Sequence, residues 1–157
     1  MNFDGSNLKL LTPEKGTHSI NPSPNWDFLT TTYSTTTNPP ITVLKDNEGN
    51  TLKTLAESDI TELKENNWQE PVEFNVKARD GETDIYGLMY LPSFYSDNGK
   101  YPVLNYIYPG PQAGSVRNYG FSVARRDFQA MAELGFVVVA VDAIPALSYP
   151  IVQYESG

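Results

Sequence analysis

Val103-Leu-Asn-Tyr-Ile-Tyr108, then Gly120 to Leu134, then Phe136-Val-Val-Val-Ala-Val141 and Asp142: this succession decides the fold. The first and last stretches are apolar almost throughout, as strands buried on both faces of a parallel sheet are. Between them Phe121, Ala124, Phe128, Met131 and Ala132 fall on one helical stripe. Arg125, Arg126 and Asp127 lie opposite, and Gly135 follows as a C-terminal cap. The spacing predicts a helix over 120–134. A strand–helix–strand crossover returns the chain to the same end of the sheet, so the two strands run parallel. Pro109-Gly110-Pro111 stops the first strand. Asp142 stands at the carboxyl end of the last, where open α/β sheets place ligands.

Working outward, Val72, Phe74 and Val76 alternate with Glu73, Asn75 and Lys77, the period of a strand with one wet face. Arg79-Asp80-Gly81-Glu82 is a hairpin turn of the Asp-Gly kind. Asp84 to Leu91 returns as the second strand. The order of hairpin, strand, helix and buried strand opens an α/β domain with an antiparallel edge pair. It also reads as incomplete, because one helix covers only one face of a sheet whose buried strand needs cover on both.

Residues 1–56 differ in character. They are rich in Thr, Ser, Asn and Pro. Asn21-Pro22-Ser23-Pro24-Asn25 is a turn whose prolines forbid a central strand. Trp26 to Ser34 alternates apolar and polar residues and reads as a strand rather than a mucin-like linker. Asn38-Pro39-Pro40 breaks the chain. Ile41 to Lys45 and Thr51 to Leu55 flank the Gly-containing loop Asp46 to Asn50, a second hairpin. Strands at this spacing predict an antiparallel all-β unit with open edges. Glu57 to Trp68 follows as a short helix or connector, with Ser58 as a cap, and Glu70-Pro71 ends it.

Composition narrows the functions. With 19 acidic and 11 basic residues the net charge is −8, which argues against a nucleic-acid binder. No apolar run approaches the ~18 residues needed to span a bilayer. MNFDGSNLKL has no basic start followed by an apolar stretch, so no secretory signal is read. Cysteine is absent and His18 is the single histidine, so there is no thiolate nucleophile and no imidazole-rich zinc site. No cofactor and no metal are expected. Gly110-Pro111-Gln112-Ala113-Gly114-Ser115 looks superficially like a phosphate loop but lacks the lysine that would follow.

An ordered series of motifs then carries a family resemblance. Lys15 to Leu29, Tyr33-Ser34, Pro39-Pro40 and Leu44 to Gly49 resemble the last β-propeller blade of dipeptidyl peptidase IV-like serine peptidases. Asp80-Gly81, Tyr86-Gly87, Leu91-Pro92, Tyr101-Pro102-Val103 and Tyr108-Pro109-Gly110-Pro111-Gln112 resemble the start of their α/β-hydrolase domain. The resemblance covers about residues 1–142 and implies the prolyl oligopeptidase family. It implies a mixed β and α/β fold divided as 1–56 partial propeller, 57–71 connector and 72–143 hydrolase start, with 144–157 unassigned. The family hydrolyses peptides, so a peptide substrate is implied, with a homodimer allowed in the complete enzyme. A periplasmic, secreted or membrane-associated setting is suggested by the family alone.

Acyl transfer needs a nucleophile, a base, an orienting carboxylate and donors for the oxyanion. In this fold the serine sits on a G-x-S-x-G elbow, followed in order by Asp and His. The chain has no such elbow, and His18 precedes the hydrolase strands. The triad is therefore expected to be absent, and the chain inactive by itself. Tyr108 matches a family tyrosine whose hydroxyl donates to the oxyanion, although Pro109 replaces the family's usual small residue. By the residues alone Tyr108 reads sooner as a packed strand-end tyrosine, and the resemblance favours the oxyanion role. His18 reads as a strand or turn residue, and Asp142 as a structural strand end. After Asp142 the family continues with an Arg-Gly turn, whereas Ile144 to Gly157 has no counterpart. A non-catalytic β-rich binding module and an esterase of the same hydrolase fold are the alternatives.

Overall fold

The computed structural model describes residues 4–107, 116 and 118–142. The backbone divides into two compact units: 4–70 with 118–125, and 71–107 with 116 and 126–142. Their make-up is mixed, two four-stranded sheets with two short helices among the described residues.

The first unit is an antiparallel meander of β1 (Thr17–Pro22), β2 (Phe28–Ser34), β3 (Ile41–Asp46) and β4 (Thr51–Glu57), paired in that order. β1 was not delimited from the sequence, although His18 within it was read as a strand or turn residue. It is an edge strand, so Pro22 at its end sacrifices no ladder bond that a central strand would need. Trp26 falls in the β1–β2 turn with φ +60° rather than in β2. The second hairpin forms as read. Two register shifts leave Leu52 and Leu55 of β4 without Cα partners. Such bulges twist an edge away from unwanted pairing. Leu29 and Thr31 of β2 lie opposite Lys45 and Val43 of β3, and these four are the buried residues of that face. Half of that core is polar.

The segment 57–68, read as a short helix or connector, holds only α1 (Thr61–Glu65), which buries no residue. Glu57 belongs to β4 instead. With no apolar face to cover, nothing tertiary lengthens the helix.

The second unit holds β5 (Val72–Lys77), β6 (Asp84–Tyr90), β7 (Val103–Tyr106) and β8 (Val137–Val141) in the order β5-β6-β8-β7. β5 and β6 form the expected antiparallel hairpin, and β7 runs parallel to β8 as the crossover demands. Leu88, Tyr90, Val138 and Ala140 form a buried face against α2 (Phe128–Glu133), whose Phe128 and Ala132 point inward. The Phe128 ring sits 5.4 Å from Tyr90 and 5.0 Å from Tyr106, both tilted. Gly87 is required on the opposite face, because a Cβ there would meet the Phe74 ring at 2.5 Å and Ala140 O at 2.8 Å.

The helix expected over 120–134 is corrected to six residues. Arg125 and Arg126 take φ of +30° and +61°, which an α-helix cannot accommodate. The Arg125 guanidinium instead donates to the carbonyls of Asn118 and Gly120. Phe121 packs against Trp68, whose indole N–H donates to Val123 O at 2.8 Å. The helical stripe therefore divides, its first part joining the first unit. Gly135 ends α2 with φ +98°, as expected.

Candidate functional site

β7 and β8 are parallel, so their carboxyl ends lie at one margin of the sheet, the margin where α/β sheets gather ligands. Asp142, the residue after β8, is fixed there from two sides. Its N–H donates to Tyr86 O at 3.0 Å. Its Oδ1 accepts the N–H of Val116 at 2.8 Å, and Val116 is 2% exposed. The carboxylate thus gives a buried amide its partner, which is the structural role read for Asp142. Tyr108 lies outside the described residues, as does the tail 144–157. In sequence Tyr108 follows Tyr106, the last residue of β7, by one intervening position.

Beside that margin is a recess of about 390 Å³ lined by Leu104, Tyr106, Phe128, Met131, Val138 and Arg126. Its floor is apolar, and the Arg126 guanidinium lies 5.0 Å over the Tyr106 ring, within cation–π reach. In the first unit a polar recess of about 620 Å³ is bordered by Glu57, Asp59, Lys64 and Glu70 among others. No group of three metal-ligating side chains occurs among the described residues, and no helix among them is long and apolar enough to cross a membrane.

His18 is held inside the first unit. Nε2 lies 2.7 Å from Glu14 O and Nδ1 lies 3.2 Å from Thr31 Oγ1. A carbonyl only accepts, so Nε2 carries a proton and donates to it. The imidazole stacks on Tyr33, its cross-strand partner, at 5.3 Å. Both nitrogens are occupied, as a structural histidine requires.

The sequence reading missed the neighbouring charge pair. Lys45 is buried to 1% exposure, its Nζ donating to Glu14 Oε1 at 2.5 Å and to Leu11 O at 3.1 Å. The signal was the period-two inward face Ile41, Val43, Lys45. Burial disfavours the Glu14 carboxylate, yet the Lys45 hydrogen bond, a backbone hydrogen bond and the Lys45 and His18 charges outweigh it. Its pKa stays below the ordinary 4.5.

In fold the chain is similar to dipeptidyl peptidase IV-like structures, and part of its sequence is similar to dipeptidyl peptidases. The particular relatives are these. Dipeptidyl peptidase 8 of Mus musculus and of Homo sapiens are each 36% identical to it over 72 residues. That match covers 46% of this chain and 8% of those proteins. A crystal structure described as a dipeptidyl aminopeptidase IV from Bacteroides ovatus superposes with TM-score 0.71 at 28% identity. It covers 87% of this chain and 20% of that one. Dipeptidyl peptidase 4 of Porphyromonas gingivalis gives TM-score 0.66 at 24% identity, over 84% of this chain and 19% of its own. At that identity it speaks for the fold alone. No family model matches the chain. The chain therefore spans less than a tenth of the curated relatives and about a fifth of the solved structures.

Proposed function

We propose that these 157 residues are a working part of a serine-type dipeptidyl peptidase, with residues 1–56 as last-blade propeller strands and 72–143 as the start of its α/β-hydrolase domain. The observation that carries this reading is the Bacteroides ovatus likeness, which extends over both sheets at 28% identity. The substrate is a peptide, and the reaction is acyl transfer to a serine followed by hydrolysis. Tyr108 donates its hydroxyl to the oxyanion as the scissile carbonyl turns tetrahedral. A preorganised donor of that kind is stronger in the transition state than in the ground state, so it acts on kcat. In sequence it falls two positions past Tyr106, the end of β7, and the carboxyl ends of β7 and β8 share one sheet margin, which supports that role.

The chain contains no G-x-S-x-G elbow and no histidine beyond His18. Nucleophile and base therefore come from outside these residues, and the chain alone does not hydrolyse peptides. Purified chain is expected to show no turnover of a chromogenic Xaa-Pro substrate. Measurable, inhibitor-sensitive turnover would overturn the reading. When the triad is supplied, Tyr108→Phe should lower kcat by roughly 10²–10³-fold, the usual loss for one oxyanion donor. An unchanged kcat would remove Tyr108 from the reaction.

A further inference from the structure

A strap of chain precedes β1 and crosses the first unit's polar face at four points. Lys9 pairs with Glu48 at 2.8 Å. Leu11 lies against Gly49, where a Cβ would meet its backbone at 3.1 Å, and its carbonyl takes a hydrogen bond from Lys45. Glu14 takes the other Lys45 hydrogen bond through its carboxylate and the His18 N–H through its carbonyl. Gly16 has φ +129° and leaves no room for a Cβ beneath Ser34 O.

These attachments are unequal. The Lys9–Glu48 pair is exposed at both ends, so solvent screens it. Lys45 is 1% exposed, and an ammonium that deep is tolerated only with a counter-charge. Glu14 supplies it from the strap. Lys45 is also flanked by the Leu11 carbonyl from the strap, by Leu29, its partner in β2, and by Thr51, its partner in β4, while His18 is bonded to Thr31 and to the Glu14 carbonyl. The His18 charge adds to the positive field on Glu14. Glu14 Oε2 is buried with no hydrogen-bond donor among the described residues, so beside one backbone hydrogen bond the carboxylate rests on Lys45.

We propose that residues 9–16 form an acid-released strap, latched by Glu14 onto the buried ammonium of Lys45, whose opening uncovers the polar face of β2 and β3. At neutral pH the latch is an ion pair. Protonating Glu14 leaves the Lys45 charge buried without compensation, and Lys45 reaches water only if the strap lifts. A carboxyl whose folded pKa is depressed stabilises the fold above its unfolded pKa and loses that hold as pH falls through the folded value. Release therefore begins near the ordinary 4.5 and completes below it.

The test is hydrogen exchange by mass spectrometry on the 157-residue chain between pH 7 and pH 3.5, with rates corrected for intrinsic pH dependence. Exchange in 9–16 should rise about a hundredfold or more on acidification, the scale of breaking a buried pair. Amides at the centre of β2 should stay protected. Glu14→Gln should show the raised exchange already at pH 7. Glu14→Gln with Lys45→Met removes both charges and should give a closed strap at either pH. Corrected exchange independent of pH in the native chain would overturn the latch. So would equal loss of protection throughout the sheet, or a double variant as open as Glu14→Gln alone.

Discussion

The backbone N–H of Val116 donates to Asp142 Oδ1 across 26 positions of sequence, joining the residue after β8 to a buried point in the chain that follows β7. The carboxylate takes no bond from its own strand in doing so. Removing the acceptor leaves a desolvated donor, which costs about 1–3 kcal/mol. Asp142→Ala is expected to lose that much in urea denaturation and to speed exchange of the Val116 amide. Asp142→Asn keeps an oxygen in place and should lose less. Equal losses for the two variants would show that the hydrogen bond is not what Asp142 contributes.

The second unit's small core should make Phe128 and Met131 behave as opposites, though they share α2. Phe128 is 6% exposed and lies between Tyr90 and Tyr106, whereas Met131 is 42% exposed. Phe128→Ala is expected to cost roughly 3–5 kcal/mol. Met131→Ala should stay within about 0.5 kcal/mol, the usual range for surface changes. Thermal melts of both variants check the contrast.

Gly87→Ala places a methyl group against the Phe74 ring and Ala140 O. Overpacking of this kind costs about 1–3 kcal/mol. Phe74→Leu in the same chain should recover part of the loss, because the ring gives way. It should not recover all of it, because the carbonyl belongs to β8. Full recovery would mean that the backbone contact at 2.8 Å carries no cost.

Asp80 closes the β5–β6 turn by accepting the Thr83 hydroxyl, then the backbone amides of Thr83 and Glu82. These bonds favour the charged form and lower its pKa from 3.8 to about 2. The turn's contribution is present above the ordinary value and is lost as pH falls from there toward the folded one. Thr83→Val removes the leading bond, so its carboxyl should titrate closer to 3.8 when followed by carboxyl carbon shifts. A titration unchanged by Thr83→Val would assign the shift to the backbone amides alone.

Where alternation or a β-branched run marked a strand, the strand was legible from the residues. Val72, Phe74 and Val76 made β5, and Val137 to Val141 made a central strand flanked by β6 and β7. The parallel pairing of β7 and β8 followed from the crossover. β1 escaped notice because Thr17 to Pro22 is polar and mostly exposed, leaving no contrast between its faces. Asp142 was legible by its position at a strand end, but its Val116 contact was not, and Tyr108, named by resemblance, lies outside the described residues.

Local pattern thus determined the hairpins, the crossover and the strand ends, since each depends on neighbours a few residues away. Tertiary structure decided the rest. Phe121 found Trp68, and two left-handed arginines cut the helix short. Lys45, placed inward by its strand's alternation, became tolerable only because Glu14, 31 residues earlier, arrives to balance its charge. A buried charge needs a partner chosen in space, and no reading of adjacent residues can name it.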